Sequence, residues 1–123
     1  MNLQTMEPNP AWDADSYPGV VGAFDSLGDD AVVKVWGGDW CGDCRAKLPD
    51  FAAALSAAGV ANVEQYPVER ENGEKVGPHV EEYDIERIPT IVVEDGSGGE
   101  LARFVEEERF PPAQYLAEEI DAE

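Results

Sequence analysis

Ala31-Val32-Val33-Lys34-Val35-Trp36-Gly37-Gly38-Asp39-Trp40-Cys41-Gly42-Asp43-Cys44 contains both cysteines of the 123-residue chain and the clearest change of periodicity along it. Residues 31–36 form an apolar run rich in β-branched side chains that stops at two glycines, the pattern of a buried strand with an abrupt end. From Cys41 onward, Leu48, Phe51, Ala52 and Leu55 recur at helical spacing until Gly59 closes the element, with Pro49 inside it and a kink expected there. The cysteines thus lie where a strand hands over to a helix. Cys41, at the helix N-terminus, faces unpaired backbone N–H groups and the positive end of the dipole. Thiols so placed in a CxxC spacing have pKa values lowered to about 3.5–7.5. Cys44 is one turn further in, within disulfide reach, so it can attack a mixed disulfide formed on Cys41.

Other uses of the pair fit less well. A disulfide closing a loop of two intervening residues constrains the unfolded chain very little. A metal site needs more donors than one CxxC and the lone His79 provide, so no metal and no bound cofactor are expected.

Outward from this junction the remaining elements follow. Residues 1–15 are polar and proline-rich and read as a loosely ordered surface segment, with Trp12 as a clamp. Val20, Val21, Phe24 and Leu27 suit one face of a short helix that Gly28-Asp29-Asp30 ends. Val60–Val68 suits a strand, residues 70–77 a polar loop, and Pro78–Tyr83 a short helix opened by proline that carries His79 on its surface. Thr90–Glu94 and Glu100–Val105, joined by Asp95-Gly96-Ser97-Gly98-Gly99, predict an antiparallel hairpin, and Pro111-Pro112 opens a helix whose inner face is Ala113, Leu116, Ala117 and Ile120. A β-α-β start, a hairpin and a closing helix predict a single α/β domain over residues 1–123, a three-layer α/β/α sandwich with a mixed central sheet.

Charge narrows the function classes. Twenty-seven acidic against eight basic residues give a net charge of −19, and hydrophobic residues make up 43% of the chain, which is enough for a core. Such a field repels phosphate backbones and anionic lipid, so neither nucleic acid nor membrane is an expected partner. The acids run from Glu7 to Glu123 and lysine is confined to Lys34, Lys47 and Lys75, a balance resembling that of proteins adapted to concentrated salt. Residues 1–20 carry no basic start and no apolar stretch, so a cytoplasmic location is expected.

Three motifs in order resemble the thioredoxin family: the strand leading into Trp40-Cys41-Gly42-Asp43-Cys44, Pro49 five residues after the second cysteine, and Tyr83-Asp84-Ile85-Glu86-Arg87-Ile88-Pro89-Thr90. The resemblance extends from about Ala31 to Ile120. It implies a thioredoxin fold, a cis Ile88–Pro89 bond beside the sulfurs, and a substrate surface on Trp40, Ile88, Pro89 and Thr90 that pairs with an extended chain. It also implies disulfide-containing protein substrates, a flavin-dependent reductase as electron donor, and a monomer. The expected activity is reduction of protein disulfides, Cys41 attacking and Cys44 resolving. The competing reading is a redox-responsive binding module that has kept the fold and lost turnover.

Three departures from the family pattern bear on mechanism. Val35 stands where the family carries a buried acid that helps deprotonate the second cysteine. Asp43 replaces a proline between the cysteines; it suits the first turn of a helix, and its charge opposes a thiolate on Cys41. Asp39 is a second acid able to tune the pair. Glu106 replaces a glycine at the substrate rim, which would narrow the substrate range.

Overall fold

The computed structural model describes residues 3–27, 30–71, 74–105 and 111–121. Its elements are α1 (Pro18–Asp25), β1 (Val32–Gly37), α2 (Gly42–Ala58), β2 (Val63–Pro67), β3 (Glu69–Glu71), β4 (Glu74–Val76), β5 (Thr90–Glu94), β6 (Glu100–Val105) and α3 (Pro112–Asp121). The main sheet has the order β2-β1-β5-β6, with β1 parallel to β2 and antiparallel to β5, and β5 antiparallel to β6. This mixed four-stranded sheet with three helices is a thioredoxin-like α/β fold.

Alternation along β1 sorts the two faces of the sheet. Val33, Val35 and Gly37 point towards the helices, and α1, α2 and α3 pack on one another there. Phe24 of α1 meets Phe51 of α2 edge-on at 5.9 Å, and Phe104 of β6 meets Tyr115 of α3 at 5.8 Å. Lys34 and Trp36 point the other way. Trp36 is fully buried, stacked on Tyr66 at 4.8 Å and tilted against Tyr83 at 4.8 Å, and its Nε1–H donates to the Pro78 carbonyl at 2.9 Å.

That second face is covered by turns rather than by the predicted Pro78–Tyr83 helix. His79 and Asp84 have φ of 61° and 55°, left-handed values that interrupt a helical run at both ends. The Pro78 and Tyr83 carbonyls are taken by the Trp36 and Arg103 side chains. His79 is exposed, as expected, with Nδ1 2.9 Å from Glu82 Oε1. The predicted loop over residues 70–77 is instead the ribbon β3–β4. The hairpin matches its predicted bounds: Asp95 Oδ1 accepts from the Ser97 and Gly99 N–H groups, and Gly98 takes φ 87°.

Within residues 1–15, read from sequence as a loosely ordered surface segment, Leu3, Thr5 and Met6 are buried, while Glu7, Pro8, Pro10 and Ala11 lie at the surface. Leu3 and Met6, three residues apart on a 3-10 turn (Gln4–Met6), both enter the core. Asn9 N–H donates to the Pro49 carbonyl at 3.0 Å, and its Nδ2 donates to Asp50 at 2.8 Å. Trp12 stacks on Tyr17 at 5.3 Å. The stop at Gly28-Asp29 lies outside the described residues. Among the described residues, no helix is long and apolar enough to cross a membrane.

Lys34, Glu94 and Tyr83 tie the turn segment to the sheet. Lys34 Nζ lies 2.9 Å from Glu94 Oε1 and donates to Tyr83 Oη at 2.8 Å, and Tyr83 O–H donates to Glu94 Oε2 at 2.7 Å. Burial alone would raise the Glu94 carboxyl pKa, but the Lys34 and Tyr83 hydrogen bonds and the Lys34 charge outweigh it and hold the value below the ordinary range. Burial likewise opposes the Lys34 charge, and bonding to Tyr83 and Glu94 more than reverses this. A lowered carboxyl pKa gives stability that is present above the unfolded value of about 4.3 and lost as pH falls below it. A raised ammonium pKa gives stability that is present below about 10.4 and lost as pH rises through the folded value. Glu94→Gln, which weakens charged hydrogen bonds at a partly exposed pair, is expected to cost about 2 kcal/mol at neutral pH. Urea titrations from pH 3 to 7 should show a flatter acid limb in the variant.

Candidate active site

The tight junction between β1 and α2 comes from two glycines. A Cβ on Gly38 would lie 2.6 Å from Trp40 Nε1 and 3.0 Å from the Val68 carbonyl, so the indole can fold back over this residue only because it is glycine. Trp40 Nε1–H donates to that carbonyl at 2.8 Å, and the residue, next to Cys41 in the chain, remains 39% exposed. The Arg70 guanidinium, from β3, lies over the ring at 4.6 Å.

The two thiols are inequivalent. Cys41 is half-buried and caps α2, its Sγ accepting from the Cys44 N–H at 3.4 Å. Its Sγ is 3.9 Å from the Ile88 carbonyl oxygen. Cys44 is fully buried, and its Sγ accepts from the Gly38 N–H at 3.4 Å. Burial pushes the Cys44 thiol up to about 12; the Gly38 N–H pulls it down, while the Cys41 sulfur and the Asp43 charge add to the rise. Both cysteines are free thiols.

The Ile88–Pro89 bond is cis, as the resemblance implies. Pro89 is buried, and so are the side chains of Ile88 and Thr90. Thr90 Oγ1 donates to the Arg87 carbonyl at 2.6 Å, fixing the turn into β5. Of the predicted substrate surface, therefore, Trp40 offers a side chain, while Ile88 and Thr90 can offer only backbone. Glu106 lies outside the described residues.

The two acids expected to tune the pair are placed differently. Asp43 is exposed in the first turn of α2, where its charge bears on Cys44. The Asp39 carboxylate is engaged elsewhere, accepting from the Thr5 N–H at 3.0 Å and the Gln4 N–H at 3.3 Å. Val35 is fully buried on the helix-facing side of β1, and among the described residues no carboxylate hydrogen-bonds either sulfur. Also among the described residues, no three His, Cys, Asp or Glu side chains gather as metal ligands would.

Sequence reasoning missed Arg70, Asp39's partners and Leu3. Each depends on chain segments distant in sequence meeting at this corner, and no local pattern marks them.

No protein-family model matches the chain, and no curated protein matches it. A solved structure of a Pseudomonas aeruginosa protein of unknown function is similar in fold, with a TM-score of 0.55 at 20% identity over 89% of this chain and 74% of that one. A thioredoxin-fold protein from Helicobacter pylori aligns with a TM-score of 0.41 at 16% identity, over 75% of this chain and 72% of that one. The first likeness concerns fold alone; the chemistry rests on the cysteine pair.

The inequivalence of the thiols has a direct readout. Iodoacetamide at neutral pH should place one adduct, on Cys41, with Cys44 slower by at least an order of magnitude until denaturant is added. Peptide mapping by mass spectrometry distinguishes the two, and equal labelling would contradict the burial of Cys44.

Proposed function

We propose that this chain is a thiol–disulfide oxidoreductase that reduces protein disulfides through Cys41 and Cys44. The observation that carries the reading is the paired geometry: a half-exposed sulfur capping α2, a second buried one turn behind it, and a cis Ile88–Pro89 whose neighbouring carbonyl faces the first.

The chemistry runs in two exchanges. The Cys41 thiolate attacks a substrate disulfide; a Cys41–substrate S–S bond forms and the other substrate sulfur leaves as a thiolate that takes a proton. Cys44 then loses its proton to water and attacks the Cys41 sulfur. The Cys41–Cys44 bond forms, the bond to substrate breaks, and the second substrate sulfur leaves with the electron pair. Substrate is reduced by two electrons and the dithiol is oxidised by two. A flavin-dependent disulfide reductase returns the pair to the dithiol. A reducing cytoplasm suits this direction, and the monomer acts alone.

The second exchange is the slow one in this reading. Cys44 is dry, its thiol is held protonated, and Val35 supplies no base. The same facts favour the second reading, a module that binds partners in a redox-dependent way, should turnover prove absent.

Reduction of insulin by dithiothreitol, followed by turbidity in dilute buffer and at molar salt, tests this. The protein should accelerate the reaction, Cys41→Ser should abolish the acceleration, and Cys44→Ser should accumulate a mixed disulfide with substrate. Lack of acceleration at every salt concentration would refute the enzymatic reading and favour the binding module.

A further inference from the structure

A segment far from Cys44 in sequence reaches the same point of the core as its sulfur. A Cβ built on Gly37 would meet Leu48 Cδ1 at 3.0 Å, Cys44 Sγ at 3.4 Å and Leu3 Cδ1 at 3.4 Å. Three side chains from α2 and the N-terminal segment therefore converge on the bare Cα of the last residue of β1. Leu3 is 4% exposed and belongs to the same core cluster as Cys44.

The segment is held there by polar contacts at several points. Leu3 N–H donates to Gln65 Oε1 of β2 at 2.7 Å. The Asp39 carboxylate, two residues before Cys41, accepts from the Gln4 and Thr5 N–H groups. Beyond the 3-10 turn, Asn9 fastens the chain to Pro49 and Asp50 of α2. The hold is incomplete at one place: Thr5 Oγ1 is buried and meets no hydrogen-bond partner among the described residues. A buried hydroxyl without a partner favours the arrangement in which it regains water.

We infer that Leu3–Met6, clamped by Asp39, is a removable seal over Cys44 that governs how readily the buried sulfur can react. Leu3 and Asp39 are positioning residues: neither touches substrate, and both act through the dryness of Cys44. With the seal closed, water is excluded from the sulfur. With it open, the thiol gains the solvent that its deprotonation needs. Its consequence for turnover rests on the dithiol reading above, since a more accessible Cys44 would resolve the Cys41–substrate disulfide faster. The seal itself can be tested without turnover.

The experiment uses the full chain carrying Cys41→Ser, so that Cys44 is the sole thiol, and follows its alkylation by iodoacetamide in native buffer. Leu3→Ala and Asp39→Ala should each speed alkylation by about tenfold, equal to about 1.4 kcal/mol of lost protection. Leu3→Met, which keeps the apolar volume, and Asp39→Asn, which keeps an acceptor oxygen, should restore most of the protection. Asp39 is exposed, so its replacement leaves the fold in place should Leu3→Ala prove too disruptive. Leu116→Ala, a fully buried position on α3, is the control for general loss of stability. Acceleration by the Leu3 or Asp39 variants beyond that of Leu116→Ala supports the seal. Acceleration no greater than the control overturns it, whatever the insulin assay shows.

Discussion

The close approach of the first turn of α2 to the end of β1 sets most of what this protein can do. Gly37 has no side chain to hold the layers apart, so Leu48 and the Cys44 sulfur occupy the space that a Cβ there would crowd, and the Gly38 N–H reaches that sulfur at 3.4 Å. A protein interior is packed too densely to absorb an extra methyl group at such a point without displacing its neighbours. The same contact that dries Cys44 leaves Cys41 at the helix terminus, half-exposed, with its sulfur as cap. Two chemically identical side chains three residues apart thus acquire opposite surroundings from one piece of packing.

The other side of the site depends on the opposite sheet face. Ile88 and Pro89 follow a segment with no regular helix, yet Ile88's carbonyl is brought to Cys41. What holds that segment is side-chain chemistry. Tyr83 is bonded to Lys34 and Glu94, its carbonyl accepts from Arg103 Nη1 at 3.0 Å, and Trp36 takes the Pro78 carbonyl. A Pro78–Tyr83 helix would have satisfied the Pro78 carbonyl internally and left that of Tyr83, its last residue, without a backbone partner. Here long polar side chains rising from β1, β5 and β6 replace it, and the turn is fixed from below.

The legible features were those whose chemistry is local. Cys41 and Cys44 announce themselves by spacing and by the strand-to-helix change around them, and the hairpin matched its bounds because Asp95 and Gly98 encode the turn within five residues. Pro89 was legible through the resemblance of its surrounding motif, and its cis bond followed. The Pro78–Tyr83 helix failed because proline at a first turn is a permissive signal, while the backbone takes left-handed φ at His79 and Asp84, where a helical run cannot continue. Leu3 and Met6 had the spacing to share a face, but two apolar residues among polar ones and prolines could not outweigh composition. Asp39 looked like a group to tune the thiols because it is close to them in sequence. In space its carboxylate faces the N-terminal segment instead.

Scarcity gives the cations a defined place in this chain. With eight basic against twenty-seven acidic residues, few positive groups are available to hold anything together. Lys34 is bound within the Glu94–Tyr83 group, Arg103 joins Glu100 and the Tyr83 carbonyl, and Arg70 covers Trp40. Lys34 and Arg103 both reach Tyr83, in a turn segment that belongs to no strand or helix. Surface acids repel one another over a Debye length of about 10 Å at 0.1 M salt and about 3 Å at 1 M, so added salt relaxes that repulsion. The Lys34–Glu94 pair, with side chains 18% and 11% exposed, is screened far less than exposed charges are. Rising salt therefore removes the penalty of the acidic surface while sparing the contact that fixes the turn beside Cys41, and the two effects act in the same direction on the integrity of the site.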